Sequence, residues 1–132
     1  MQNAKFKMQN DFLGKIMENA IESKSFAFAV RIVKLAKHLR NHENENTLSK
    51  QILRSGTSIG ANVAEAQHAQ SSGDFLAKLN IALKETGETL YWLRLLHATD
   101  YLTEEAFRSL YNDCSELEKL LVSIIRTLQQ KK

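Results

Sequence analysis

The chain of 132 residues has no proline, one cysteine, five glycines and few aromatics. Without proline, nothing forces a break into a helical segment, and the composition points to an all-α fold. A single cysteine, Cys114, excludes an intramolecular disulfide framework. No stretch approaches the roughly 18 consecutive apolar residues of a membrane span, and no basic start, apolar run and small-residue cleavage site follow one another as in a secretory signal. These absences predict an intracellular, cytoplasmic protein with no membrane partner. Hydrophobic residues at 43% and charged residues at 25% exclude wholesale disorder. The length suffices for one domain with its own core.

The net charge of +3 is small, but it is unevenly placed. Residues 23–42 hold Lys24, Arg31, Lys34, Lys37 and Arg40 and no acidic residue, whereas the rest of the chain is nearly balanced. One element therefore carries the basic excess.

Four segments have helical periodicity. Residues 1–22 mix charges of both signs with irregular apolar positions and read as a loosely held N-terminal extension, leaving 23–132 as the bundle domain. Ser23 or Ser25 is the expected cap of a helix over Phe26–Asn41, whose stripe is Phe28, Ile32, Leu35 and Leu39, flanked by Phe26, Val30 and Val33. After the polar loop 42–46, Asn46 or Thr47 is the expected cap of a second helix built on Leu48, Ile52, Ser55, Ile59, Val63 and Ala66. The break Ser71-Ser72-Gly73-Asp74 precedes a third helix to about Thr99, with the stripe Leu76, Leu79, Leu83, Thr86, Leu90, Leu93 and His97. Thr103 caps the fourth, where Phe107, Leu110, Cys114, Leu117, Leu121, Ile124 and Leu128 alternate spacings of three and four in an a/d seam. Short polar connections place sequential helices side by side, which predicts an antiparallel up-down-up-down four-helix bundle.

The second helix is unusual in its filling. Ser55, Gly56, Thr57, Ser58, Gly60, Ala61 and Asn62 are small or short, and each interior glycine costs roughly 1 kcal/mol relative to alanine. Close approach of a neighbouring helix would compensate, so this run is read as a close-packing motif. Apolar residues beyond one core, Phe26, Val30 and Val33 in the first helix and Leu120 and Ile125 in the fourth, imply self-association.

No catalytic constellation emerges, and the chain is expected not to be an enzyme. A di-iron carboxylate site needs two Glu-x-x-His pairs, and only Glu65 and His68 supply one, since Glu85 and Glu88 lack a suitably spaced histidine. Neither metal nor cofactor is expected. Arg54-Ser55-Gly56-Thr57-Ser58 lacks the glycine and lysine of a phosphate loop. Cys114 occupies a seam position and reads as a small core hydrophobe, and His97 as a satisfied core or interface histidine. The candidate site is the basic helix: Arg31, Lys34, Lys37 and Arg40, enlarged by Lys50 and Arg54 of the next helix. Five unbalanced charges make either a phosphate-binding surface or a solvated helix face whose lysines lie over apolar neighbours.

The runs Ser25-Phe26-Ala27-Phe28-Ala29-Val30-Arg31-Ile32-Val33-Lys34-Leu35 and Leu48 to Ala66, with Arg54-Ser55-Gly56-Thr57-Ser58-Ile59-Gly60-Ala61-Asn62 at its centre, resemble a family of small bacterial four-helix bundles. Members are encoded in intervening sequences of large-subunit ribosomal RNA genes, and accessory proteins of diversity-generating retroelements are included. Asp74-Phe75, Lys84-Glu85 and Tyr91-Trp92-Leu93-Arg94 extend the likeness, which spans residues 23–130. Ala64 and Gly87 depart from its pattern. The resemblance implies a homopentamer with a basic surface for RNA or DNA, or for a reverse transcriptase. The expected function is a non-enzymatic oligomeric scaffold that binds nucleic acid, RNA first. A protein–protein adaptor that recruits a reverse transcriptase or another enzyme is the alternative.

Overall fold

The computed structural model describes residues 12–130, and all regular structure among them is helical. The four helices are α1 (Phe12–Asn41), α2 (Thr47–Ala66), α3 (Ser72–Ala98) and α4 (Glu104–Gln130). Each packs on its sequence neighbour, and α1 against α4 closes the bundle. Cross-helix contacts fix the antiparallel sense. On α1 and α2, Ile32 meets Gly56 while the earlier Ser25 meets the later Gly60. Arg54 and Glu65 of α2 reach Glu85 and Lys78 of α3. Lys24 and Arg31 of α1 reach Glu116 and Asp113 of α4.

The first helix begins at Phe12, not at Ser23 or Ser25. Neither serine caps it: the Ser23 hydroxyl donates to the Ala20 carbonyl and the Ser25 hydroxyl to that of Glu22. The buried positions Gly14, Glu18, Ile21, Ser25, Phe28, Ile32, Leu35 and Leu39 form one unbroken three-four stripe. Three of its first four positions are filled by Gly, Glu and Ser, which hides the period from a hydropathy reading. Residues 12–22 are thus helical, and the remainder of the expected extension, 1–11, lies outside the described residues.

Caps follow the expected chemistry at two starts and not at a third. Ser71 Oγ accepts from Asp74 N and Thr103 Oγ1 from Ala106 N. At α2 neither Asn46 nor Thr47 caps; the Glu45 carboxylate accepts from the amides of Leu48 and Ser49. Its negative charge suits the positive helix start. The α4 seam is buried from Leu110 to Leu128. The expected α3 stripe is buried at Leu79, Thr86, Leu90 and Leu93, but Leu76, Leu83 and His97 are only half-buried, and Phe75, Ala82, Thr89 and Leu96 face inward as well.

The small-residue run of α2 is divided among its neighbours. A Cβ on Gly56 would stand 2.8 Å from both Cγ atoms of Ile32, and one on Gly60 would stand 3.2 Å from the Ser25 carbonyl oxygen. These are the places where α1 and α2 come together. Ser55, fully buried, faces α3 and accepts a hydrogen bond from the Thr89 hydroxyl at 3.0 Å. Thr57, Ser58 and Asn62 return their side chains to the carbonyls of Leu53, Arg54 and Ser58. Ala61 is exposed.

Candidate nucleic-acid interface

The six basic residues separate into two kinds. Arg31 is held by Asp113 of α4 at 2.5 Å, and Arg54 lies between Glu85, at 3.1 Å, and Glu88 of α3. Both join neighbouring helices, and their charge is matched where it sits. Lys34, Lys37, Arg40 and Lys50 are exposed, and among the described residues no carboxylate lies within 4.0 Å of any of them. Lys24, also in the basic segment, is paired with Glu116 at 2.9 Å.

Helical geometry collects the unmatched four. Residues three apart are displaced by about 60° around the axis, so Lys37 points away from the Phe28–Leu39 stripe with Lys34 and Arg40 on either side of it. Arg31, one step further round, has reached α4. The antiparallel register set by Gly56 with Ile32 brings Lys50 level with the Lys37 turn. Four like charges therefore occupy the outer face of the α1–α2 pair at its loop end. Two carboxylates lie at this end: Glu43, 3.6 Å from His38 Nε2, whose ring lies 5.1 Å from that of His42, and Glu45, which caps α2. Such a surface has the charge to attract polyanions.

Toward the middle of the bundle the same face turns apolar. Phe26 is 71% exposed and Val30 and Val33 are close to 40%. Phe26 borders a cleft of about 350 Å³ floored by Ser25, Ala29, Thr57, Gly60, Ala61 and Ala64. Ile125 of α4, by contrast, is core, and Leu120 is half-buried. Most of the exposed large apolar side chains among the described residues are on α1, with Ile81 and Tyr91 on α3.

No group of three or more metal-ligating side chains occurs among the described residues. Glu65 pairs with Lys78 at 4.0 Å, and Glu85 and Glu88 hold Arg54. Cys114 is buried and its thiol faces the Thr86 carbonyl at 3.5 Å. Burial, with the charges of Glu118 and Asp113, pushes the thiol pKa up to about 12, so it is not a nucleophile near neutrality. His97 is not a core residue: its Nε2 meets Glu104 at 2.8 Å, and its ring stacks on Phe107 with centroids 4.1 Å apart. No helix is long and apolar enough among the described residues to cross a membrane.

Comparison with known proteins places this architecture. No curated protein matches the chain. A crystal structure from Bacteroides thetaiotaomicron VPI-5482, of a protein with unknown function from the S23 ribosomal protein family, is 58% identical. It aligns with a TM-score of 0.82 over 83% of this chain and 98% of that one. The family model for the 23S rRNA-intervening sequence protein matches residues 17–123, which takes in α1 from its second turn, all of α2 and α3, and most of α4. The chain belongs to the 23S rRNA-intervening sequence protein family.

Proposed function

We propose that this protein is a non-enzymatic, self-associating helical scaffold that binds nucleic acid, RNA first, through the loop end of α1 and α2. The observation that carries the reading is the grouping of Lys34, Lys37, Arg40 and Lys50, four exposed cations with no carboxylate partner among the described residues. The family's link to an rRNA gene supports a ribonucleoprotein setting in the cytoplasm. Arg31 and Arg54 contribute to stability more than to binding, since each already has its counter-charge.

Four phosphate contacts per subunit predict a 50- to 150-fold loss of affinity, roughly, between 50 and 200 mM salt. Electrophoretic mobility of a structured RNA, with wild type and with Lys34→Glu/Lys37→Glu, tests the reading. Loss of the shift in the variant supports it, and an unchanged shift removes the site.

Self-association is assigned to the apolar face of Phe26, Val30 and Val33, and the expected assembly is a homopentamer. The same face favours a second reading, a protein–protein adaptor recruiting a reverse transcriptase or another enzyme. An adaptor would keep its partner in nuclease-treated lysate.

A further inference from the structure

On the opposite side of the bundle, the C-terminal end of α3 and the first turns of α4 form a second site that the basic helix does not include. A cleft of about 340 Å³ is lined by Tyr91, Arg94, Leu95, His97, Ala98 and Phe107. That volume is at the lower end of the roughly 300–1,000 Å³ of small-molecule sites. Its walls are aromatic and positioned. The Tyr91 ring is 54% exposed and stands edge-on to Trp92 at 5.1 Å, while the Trp92 indole donates to Glu88 at 3.0 Å. The His97 ring lies parallel to Phe107 within 5°, and Glu104 anchors it through Nε2.

The charge is equally specific. Arg94 is exposed, lines the cleft, and has no carboxylate within 4.0 Å among the described residues. The nearby Glu104 is already engaged by His97 and by Arg108 at 2.9 Å. One turn before Tyr91, Gly87 has nothing within 4 Å of where a Cβ would be, so the approach to the tyrosine ring is open. Lys84, exposed on the same face, lies about 10 Å before Tyr91 along the axis. An exposed ring with an unmatched guanidinium one turn on, and an amine two turns back, fits a flat π-system attached to phosphate.

We propose that this cleft binds one unpaired nucleotide, with its base stacked on Tyr91 and its phosphate on Arg94. A base inside a duplex has no free face to offer, so the site selects unpaired nucleotides. The nucleotide is either free or part of a single strand; in a strand, Lys84 takes a neighbouring phosphate. This site does not depend on the basic end of α1 and α2 and is tested apart from it.

Trp92 is the sole tryptophan and touches Tyr91, so its emission reports on the cleft. The full chain is titrated with a ten-nucleotide oligouridylate, with uridine monophosphate and with a blunt-ended, fully paired RNA duplex. A saturable change in emission is expected with the oligonucleotide, the mononucleotide or both, and none with the duplex. Tighter binding of the oligonucleotide identifies a strand as the source, and equal or tighter binding of the mononucleotide identifies the free nucleotide. Tyr91→Ala should weaken binding about tenfold, Tyr91→Phe should retain it, and Arg94→Ala should weaken it and flatten its salt dependence. Lys34→Glu/Lys37→Glu should leave the mononucleotide titration unchanged, so failure of the basic-helix reading leaves this result standing. An unresponsive Trp92 with both unpaired probes, or wild-type affinity in Tyr91→Ala and Arg94→Ala, would overturn the proposal.

Discussion

Gly56 stands against Ile32 so closely that a methyl group on the glycine would come within 2.8 Å of both Ile32 Cγ atoms. Ile32 is fully buried and branched at Cβ, so it cannot swing aside. Gly56→Ala therefore overpacks the α1–α2 contact. Overpacking costs typically about 1–3 kcal/mol and the helix-propensity gain returns about 1. Chemical denaturation should show a net loss of up to about 2 kcal/mol. Ile32→Ala, costly alone at about 2–5 kcal/mol, should cost clearly less in the Gly56→Ala background, because the new methyl occupies the vacated volume. Additive losses would refute the contact as the cause.

Gly87 gives the opposite expectation from the same amino acid. It is an exposed interior residue of α3 with open space where its Cβ would be. Gly87→Ala should stabilise the bundle by about 0.8–1 kcal/mol, with a matching rise in the denaturation midpoint.

These glycines also show what could be read from the sequence. Two glycines in one helix implied close packing, but only the contact with Ile32, 24 positions earlier in the chain, shows which neighbour is close. The α4 seam was legible because every buried position from Leu110 to Leu128 is apolar or cysteine. The start of α1 was not, because Gly14, Glu18 and Ser25 fill buried positions. On α3, Leu76 and Leu83 outrank Ala82 and Thr89 in hydropathy although the smaller pair faces the core. The address of the basic site was legible in local charge. Its division was not, because the carboxylate holding Arg31 lies 82 residues away and those holding Arg54 lie 31 and 34 away.

Arg54 tests that division. The Glu85 side chain is 11% exposed and takes its counter-charge from Arg54. Removing one partner of a fully buried pair costs about 3–5 kcal/mol; Arg54 is half exposed, and solvent screening reduces the expectation for Arg54→Ala to about 1–2 kcal/mol. Arg54→Lys should recover only part, since an ammonium does not present the planar fork that reaches two carboxylates. Arg31→Ala, in an exposed pair, should cost less than 1 kcal/mol.

Cys114 links stability to alkaline pH. Burial disfavours the thiolate and pushes the thiol up to about 12 in the fold, from its ordinary value of 9.0. Below pH 9 both states keep the proton and the group has no effect on stability. Between pH 9 and 12 the unfolded chain releases its proton and the folded one retains it, so stability falls as pH rises, by an order of 4 kcal/mol at the upper end. Cys114→Ser should flatten that part of the profile relative to wild type. A thiol reagent at pH 8 should modify wild type only as fast as the bundle opens; rapid modification would contradict the buried placement.

The proposed self-association covers the face bearing Phe26 with a second copy of the chain. A side chain 71% exposed beside Val30 and Val33 gives up hydration of its ring when a second surface covers it, at about 25 cal/mol per Å² of apolar area. Phe26→Glu places a charge there instead, at a position that touches no core residue through its exposed face, so helicity and denaturation midpoint should stay near wild type. Light scattering should then report the wild type at about five times the 15.0 kDa of one chain, and the variant at or near 15.0 kDa. A second variant, Val30→Lys, should act in the same direction, because Val30 lies one turn further on the same stripe. Were both variants to keep the wild-type mass, the association would have to use another face, and a wild type of 15.0 kDa at micromolar concentration would exclude stable assembly.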